Sequence, residues 1–363
     1  MNINSHINGF VKREFRLHRV RFFLSLFIFF TSMQVLSAQE NEISFTHAGN
    51  TLVGTLMLPE IKGPHRIVLF VHGDGPTERD NYGVYRPLWD AFLAAGFGIY
   101  SWDKAGVGQS TGDWQSQNMS DRADELIAAG QALTTLENVD VDSLGIWGIS
   151  QAGWVVPMAV TQSDIFDWTI LVSGAINWMD QSRYLTEHRM RHEGFSELDI
   201  SKALALERHS SNSLIHLKDY EQYKIKTLYA PPCCNQVMSE QRWRFVRKNV
   251  SADVTPYLSK INIPVLGIFG EFDANVDIHQ SKKIYQQEIQ SSLLTLKTFR
   301  NADHGIMPSN KMKPAGMKTT FHNIYQLLRI DFMGAKAYAP GYVSTMVLWA
   351  SQQYKRTEIT CGN

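Results

Sequence analysis

The chain predicts an α/β architecture: a mainly parallel, open sheet flanked by helices, with an inserted helical cap. Short, nearly continuous apolar runs such as RIVLFVHG (66–73) and IPVLGIFG (263–270) have the content of strands buried on both faces. Stretches of helical length and pattern separate such runs, and strand–helix–strand alternation implies right-handed crossovers between parallel strands. The alternation lapses between 175 and 260 and then resumes. That interval is far too long for an ordinary connection, and Tyr, Trp, Leu and Ile recur through it, so an ordered cap is expected there.

The first element is a hairpin over 43–59, with its turn near Gly49-Asn50. The strand at 66–73 follows, then a helix in RPLWDAFLAAGF ending at Gly96. FGIYSWD (97–103) is the next strand, and MSDRADELIAAGQALTTL (119–136) is a helix with Ser120 as its expected N-cap. SLGIWGI (143–149) is a strand, QAGWVVPMAV opens a helix that tolerates Pro157, and DWTILVSG (167–174) is a strand. After the cap come the strand at 263–270, a helix over 278–289, the strand at 293–299 and a helix near 315–329. A terminal helix is expected in 340–353. The expected domain plan is 1–38, a core over 39–174, the cap over 175–260 and the rest of the core over 261–363.

Residues 1–38 hold five basic residues and one acid, followed by the apolar run FFLSLFIFF (22–30) and the small residues Ser37 and Ala38. This order is that of a secretory signal peptide, with cleavage expected after Ala38 and a periplasmic or extracellular destination. The alternative, an uncleaved N-terminal anchor, has too short an apolar run to span a bilayer, and nothing later in the chain is long and apolar enough. Over the whole chain, 44% apolar residues and 19% charged ones fit a globular protein with a full core. Formal net charge is zero, so charge gives no argument for a nucleic-acid partner. Of the three cysteines, adjacent Cys233 and Cys234 would bond each other only with strain. A bridge from one of them to Cys361 and unpaired thiols are the two open states, and the spacing suits no standard zinc site.

In an open parallel sheet, functional groups collect at the carboxyl ends of the strands. Four such ends carry candidates here. VHGDGP (71–76), with His72, Gly73, Asp74 and Gly75, is a turn whose N–H groups can face one space; a plain tight turn is the alternative. GISQAG (148–153) places Ser150 between Gly148 and Ala152 at a strand-to-helix turn, the pattern of a nucleophile elbow. An N-cap role for Ser150 is the plainer reading. The Gln151 N–H would join that of Asp74 as an oxyanion donor. GEFDANV (270–276) offers Asp273 as an orienting carboxylate, with Glu271 as its local competitor. NADHGI (301–306) offers His304 after the final strand. The order serine, acid, histidine is the chain order of one known triad. DKAGVGQSTG (103–112) lacks the P-loop pattern, so a nucleotide site is not expected; Asp103 is expected to hydrogen-bond backbone beside the site.

With those residues in place, the sequence resembles the α/β-hydrolase fold superfamily, nearest its bacterial dienelactone-hydrolase-like and serine-aminopeptidase-like branch. The resemblance rests on HGDGP (72–76), DKAGVGQS (103–110) and GISQAGWVVP (148–157), and runs from about 42 to 330 outside the cap. Two departures stand out: Ile149 replaces a common histidine at a position that packs inside, and Ala152 replaces a common glycine. The resemblance implies acyl transfer to water through an acyl-enzyme on Ser150, with His304 as base and Asp273 fixing its tautomer. It implies no metal and no organic cofactor. A carboxylic ester is the first expected substrate, a peptide or amide bond the second and a thioester the third. A binding protein that kept the fold without the chemistry is the contrasting class. Trp154, one turn past the serine, is expected to pack the elbow helix.

Overall fold

In the computed structural model, residues 40–60, 63–205, 219–228, 237–312 and 320–353 are described. The expected signal peptide and cleavage bond, and Cys233, Cys234 and Cys361, lie outside them. Eight strands form one sheet: β1 (Glu40–His47), β2 (Asn50–Met57), β3 (His65–Val71), β4 (Phe97–Trp102), β5 (Val141–Ile149), β6 (Trp168–Val172), β7 (Val265–Gly270) and β8 (Leu294–Phe299). Their order is β1-β2-β4-β3-β5-β6-β7-β8. The β1–β2 and β2–β4 pairs are antiparallel and the rest are parallel. The expected mainly parallel sheet is therefore present, with an antiparallel hairpin on one edge.

Strands β4, β6 and β7 are buried along their whole length, and β3 from Ile67 and β5 over residues 144–148 are buried too, because helices cover both faces. Ile67 to Phe70 of β3 and Ile170 to Val172 of β6 have no exposed surface. Burying an aliphatic side chain of this size contributes roughly 1.5–3 kcal/mol each, which is why the runs contain so few polar residues. The hairpin turns at Ala48-Gly49, where both residues have positive φ (47° and 78°), one position earlier than expected. His47 pairs with Asn50 across this two-residue turn, whose primed geometry matches the twist of the strands.

The helices of the core are α1 (Arg86–Ala94), α2 (Met119–Thr134) and α3 (Ala152–Gln162). Between β6 and β7 lie α4 (Trp178–Glu193), a helical stretch at 197–205, α5 (Tyr220–Leu228), α6 (Glu240–Asn249) and the short α7 (Thr255–Leu258). The last three are α8 (Ile278–Glu288), α9 (Thr320–Met333) and α10 (Tyr342–Gln352). The start of α2 differs from expectation. Its N-cap is Asn118, not Ser120: Asn118 Oδ1 accepts from the Asp121 N–H at 2.8 Å and Asp121 Oδ2 accepts from the Asn118 N–H at 2.7 Å. This reciprocal pair satisfies two orphan donors at once, which a serine two residues further in cannot do.

The 175–260 interval carries its own apolar contacts. Trp243 and Phe245 of α6 are buried, and Phe245 packs edge-on against Trp114 at 5.3 Å. Asn249 ties the same helix to the first residue of α2, accepting from the Met119 N–H at 3.0 Å. A separate small cluster, Met190, Ile200 and Ala203, holds α4 to the stretch that follows it.

Candidate active site

Parallel neighbours β3, β5, β6, β7 and β8 all end at one edge of the sheet, and the candidate residues follow four of those ends. Ser150 directly follows β5. It has φ +58°, a left-handed conformation that is uncommon for a residue with a side chain. Three backbone bonds hold it there: its N–H donates to Val172 O at 2.9 Å, and its carbonyl accepts from Gly153 at 2.9 Å and Ala175 at 3.1 Å. The N-cap of α3 falls on Gln151, and no side chain caps the helix, so Ser150 is not spent on that task. The close fit of this turn explains its small residues. A Cβ on Gly148 would lie 2.8 Å from the Ala152 Cβ, and one on Gly153 would lie 2.4 Å from both backbone N and O of Ala175. Ile149 is only half-buried, unlike the interior position expected, because it is the last residue of β5 and borders the open strand edge. Trp154 behaves as expected: it is buried and stacks on Trp178 with ring centroids 4.8 Å apart.

Asp273 and His304 come together although 31 residues separate them. His304 Nδ1 donates to Asp273, 2.8 Å from Oδ2 and 3.0 Å from Oδ1. Asp273 has no exposed surface and also accepts the Asn275 and Val276 N–H groups at 2.8 and 3.0 Å. Four hydrogen-bond contacts therefore fix one carboxylate, and it fixes the imidazole, leaving Nε2 as the ring's reactive end. Glu271 does not compete: its Oε2 accepts the Asn301 N–H at 2.9 Å, which closes the loop carrying the histidine. Tyr184 of α4, unremarked in the sequence, donates its hydroxyl to the Asp273 carbonyl at 3.0 Å.

The 72–76 turn packs against the serine: a Cβ on Gly73 would lie 3.3 Å from the Ser150 Cβ. Gly75 takes φ +97°, which bends the turn. Among the described residues, neither the Asp74 nor the Gln151 N–H donates to a protein acceptor. His72 is a structural residue. Its Nε2 donates to Trp102 O at 2.6 Å and its ring lies parallel to that of Tyr85 at 5.7 Å. Burial, only partly offset by the Trp102 bond, lowers its pKa to about 3, so it is neutral at ordinary pH.

Three cationic side chains, Arg242, Lys104 and Arg122, bind the turn. Arg242 of α6 grips Asp74 with two bonds of 2.7 and 3.1 Å, and Gln151 Nε2 donates to the same carboxylate at 3.0 Å. Burial pushes the Asp74 pKa up, but the Arg242 and Lys104 charges outweigh it and leave the carboxyl below its ordinary value. Lys104 donates to Gly73 O at 2.5 Å and to Gly75 O at 2.9 Å. Arg122 donates to His72 O at 3.1 Å and to the Gln151 side-chain oxygen. Neighbouring Asp103 is bound as expected, accepting the Arg79 and Gln109 N–H groups at 2.8 and 3.0 Å, and it also pairs with the Arg79 guanidinium. Arg122 was legible in principle: Met119, Arg122, Ala123, Leu126 and Leu133 share one helical face, and all are buried. Lys104 and Arg242 had no such signal, since loop position and long-range pairing leave no period in the sequence.

The sheet order, the left-handed serine after β5 and the acid–histidine pair after β7 and β8 define the α/β-hydrolase fold. The chain belongs to the hydrolase family described as "Serine aminopeptidase, S33", whose model matches residues 62–310. Among solved structures it is similar to proline iminopeptidase from Mycobacterium smegmatis, with TM-score 0.54, 15% identity, and coverage of 86% of this chain and 98% of that one. It is also similar to the Pyrococcus furiosus esterase Pf2001, with TM-score 0.51, 12% identity, and coverage of 87% and 91%. At these identities the likeness is one of fold. No curated protein matches the chain. Among the described residues no helix is long and apolar enough to cross a membrane, and no group of His, Cys, Asp or Glu could hold a metal ion.

Proposed function

We propose that the protein is an exported serine hydrolase acting on a carboxylic ester through an acyl-enzyme on Ser150. The observation that carries the reading is the imidazole of His304, held by the buried Asp273 carboxylate at 2.8 Å on the strand edge that also bears Ser150 in its left-handed turn. His304 Nε2 takes the hydroxyl proton as Ser150 Oγ attacks the carbonyl, and Asp273 stabilises the imidazolium. The Asp74 and Gln151 N–H groups receive the oxyanion, each contributing about 3 kcal/mol by the cost of losing such a donor. His304 returns its proton to the leaving alcohol, and water then repeats the sequence on the acyl-enzyme. Export rests on the basic, apolar and small-residue order of residues 1–38.

An ester is favoured over a peptide with a free amine by the state of Asp74. An ammonium group needs an acidic partner, and the carboxylate beside the candidate donors is already engaged by Arg242. The aromatic and aliphatic content of residues 175–260 favours a partly apolar acyl or alcohol pocket. An active-site-directed fluorophosphonate tests the chemistry: it should label the wild-type protein and not Ser150→Ala. Folded wild type that resists labelling would overturn the proposal. Turnover of p-nitrophenyl esters against aminoacyl-p-nitroanilides decides the bond, and faster anilide cleavage would make the protein a peptidase.

A further inference from the structure

Lys104 is a buried cation that the proposed chemistry does not use. It is 1% exposed, and its Nζ lies 5.0 Å from the Trp114 ring centre. Burial, reinforced by the Arg122 charge, holds its pKa well below the ordinary lysine value. Arg122 is 5% exposed and also loses solvation without a direct carboxylate partner; Glu125 and Asp74 act on it only through space. Burying two cations side by side is costly, and packing alone would be served better by apolar residues. Their ends are spent on backbone carbonyls of one turn: Lys104 on Gly73 O and Gly75 O, Arg122 on His72 O.

The peptide plane gives those bonds a consequence. In a planar trans peptide the C=O and the following N–H point in opposite directions. A Gly73 carbonyl drawn toward Lys104 therefore turns the Asp74 N–H away from it, out of the lysine's buried pocket. Gly73 itself abuts Ser150. A cation on the carbonyl also polarises the peptide and strengthens its N–H as a donor. Arg122 spans the two candidate donor segments, with one nitrogen on His72 O and another on the Gln151 side chain.

We propose that Lys104 and Arg122 are positioning residues for the oxyanion donors: Lys104 sets the direction of the Asp74 N–H, and Arg122 sets the spacing between the 72–76 turn and Gln151. This rests on the Ser150 acyl-transfer reading. The two residues touch no reacting atom, so their removal acts on the transition state and leaves substrate binding largely intact.

The test uses the mature full chain, a p-nitrophenyl ester and a boronic acid of matching acyl shape, which forms a tetrahedral adduct on the serine. Lys104→Met should lower kcat roughly 10- to 100-fold, with KM within about threefold and boronate affinity falling by the same factor as kcat. Arg122→Lys keeps the charge but has one nitrogen where two are needed. It should show the same pattern and serves as the deciding variant if Lys104→Met fails to give a native near-UV circular dichroism spectrum. A folded variant with kcat and boronate affinity within twofold of wild type would overturn the inference. So would a loss confined to KM or to melting temperature. Failure of the underlying reading is seen separately, in wild type that is not labelled by the fluorophosphonate.

Discussion

Replacing Asp273 by asparagine exchanges one carboxylate oxygen for an amide, and the structure sets what is lost. Oδ1 accepts the Asn275 and Val276 N–H groups, so an asparagine can keep its oxygen there and preserve the loop. Its NH₂ then occupies the place of Oδ2, 2.8 Å from His304 Nδ1. A donor facing that nitrogen favours the tautomer with the proton on Nε2, where the base must accept. The loss expected for a wrong tautomer is about 10⁴ in kcat, or roughly 5 kcal/mol. Stability should fall by only about 1 kcal/mol, because the backbone bonds survive with a neutral acceptor. Glu271→Gln is the control: its oxygen can still accept the Asn301 N–H, so kcat should stay within about threefold. Ester turnover and urea unfolding of both variants measure this. A thousandfold loss in Glu271→Gln together with less than tenfold in Asp273→Asn would refute the assignment of the acid.

Three further outcomes are expected. Arg242→Ala should cost less than about 1 kcal/mol of stability, because the pair with Asp74 is partly solvated, yet lower kcat/KM for the ester several-fold; an unchanged kcat/KM would show that α6 does not influence the turn. His72 binds its proton in the folded state only near pH 3, whereas an unfolded histidine does so near pH 6.5, so the unfolded chain holds the extra proton between these values. Stability from this group is complete above about pH 6.5 and declines by about 1.4 kcal/mol per unit as pH falls toward 3. Urea unfolding at pH 7, 6 and 5 should show this component in wild type and not in His72→Gln, and equal slopes would contradict it. Gly153→Ala should destabilise by about 3 kcal/mol, since the new methyl meets Ala175 backbone at 2.4 Å and neither side can yield cheaply; a melting temperature equal to wild type would show that the elbow has slack.

Period and composition made most of the sheet legible. A strand buried on both faces must be apolar throughout, so β3, β4, β5, β6 and β7 announce themselves within a residue or two of their ends. The N-cap of α2 was misplaced because Ser120 and Asn118 are both good caps, and only the reciprocal bond with Asp121 separates them. The candidate triad was legible for a topological reason. Parallel crossovers return every strand to the same edge, so residues just after strand ends share that edge however far apart they lie in the chain.

What the sequence determined by itself, then, is the order of elements and which loops share that edge, because burial period and crossover handedness are local rules that repeat along the chain. Tertiary structure decided which groups face each other across it: Asp273 rather than Glu271 on His304, Arg242 on Asp74, and Lys104 and Arg122 behind the 72–76 turn. Those pairings depend on distances of a few ångströms between segments 30 to 170 residues apart, and a hydrogen bond or a desolvated charge has no counterpart in residue spacing until the backbone has closed around it.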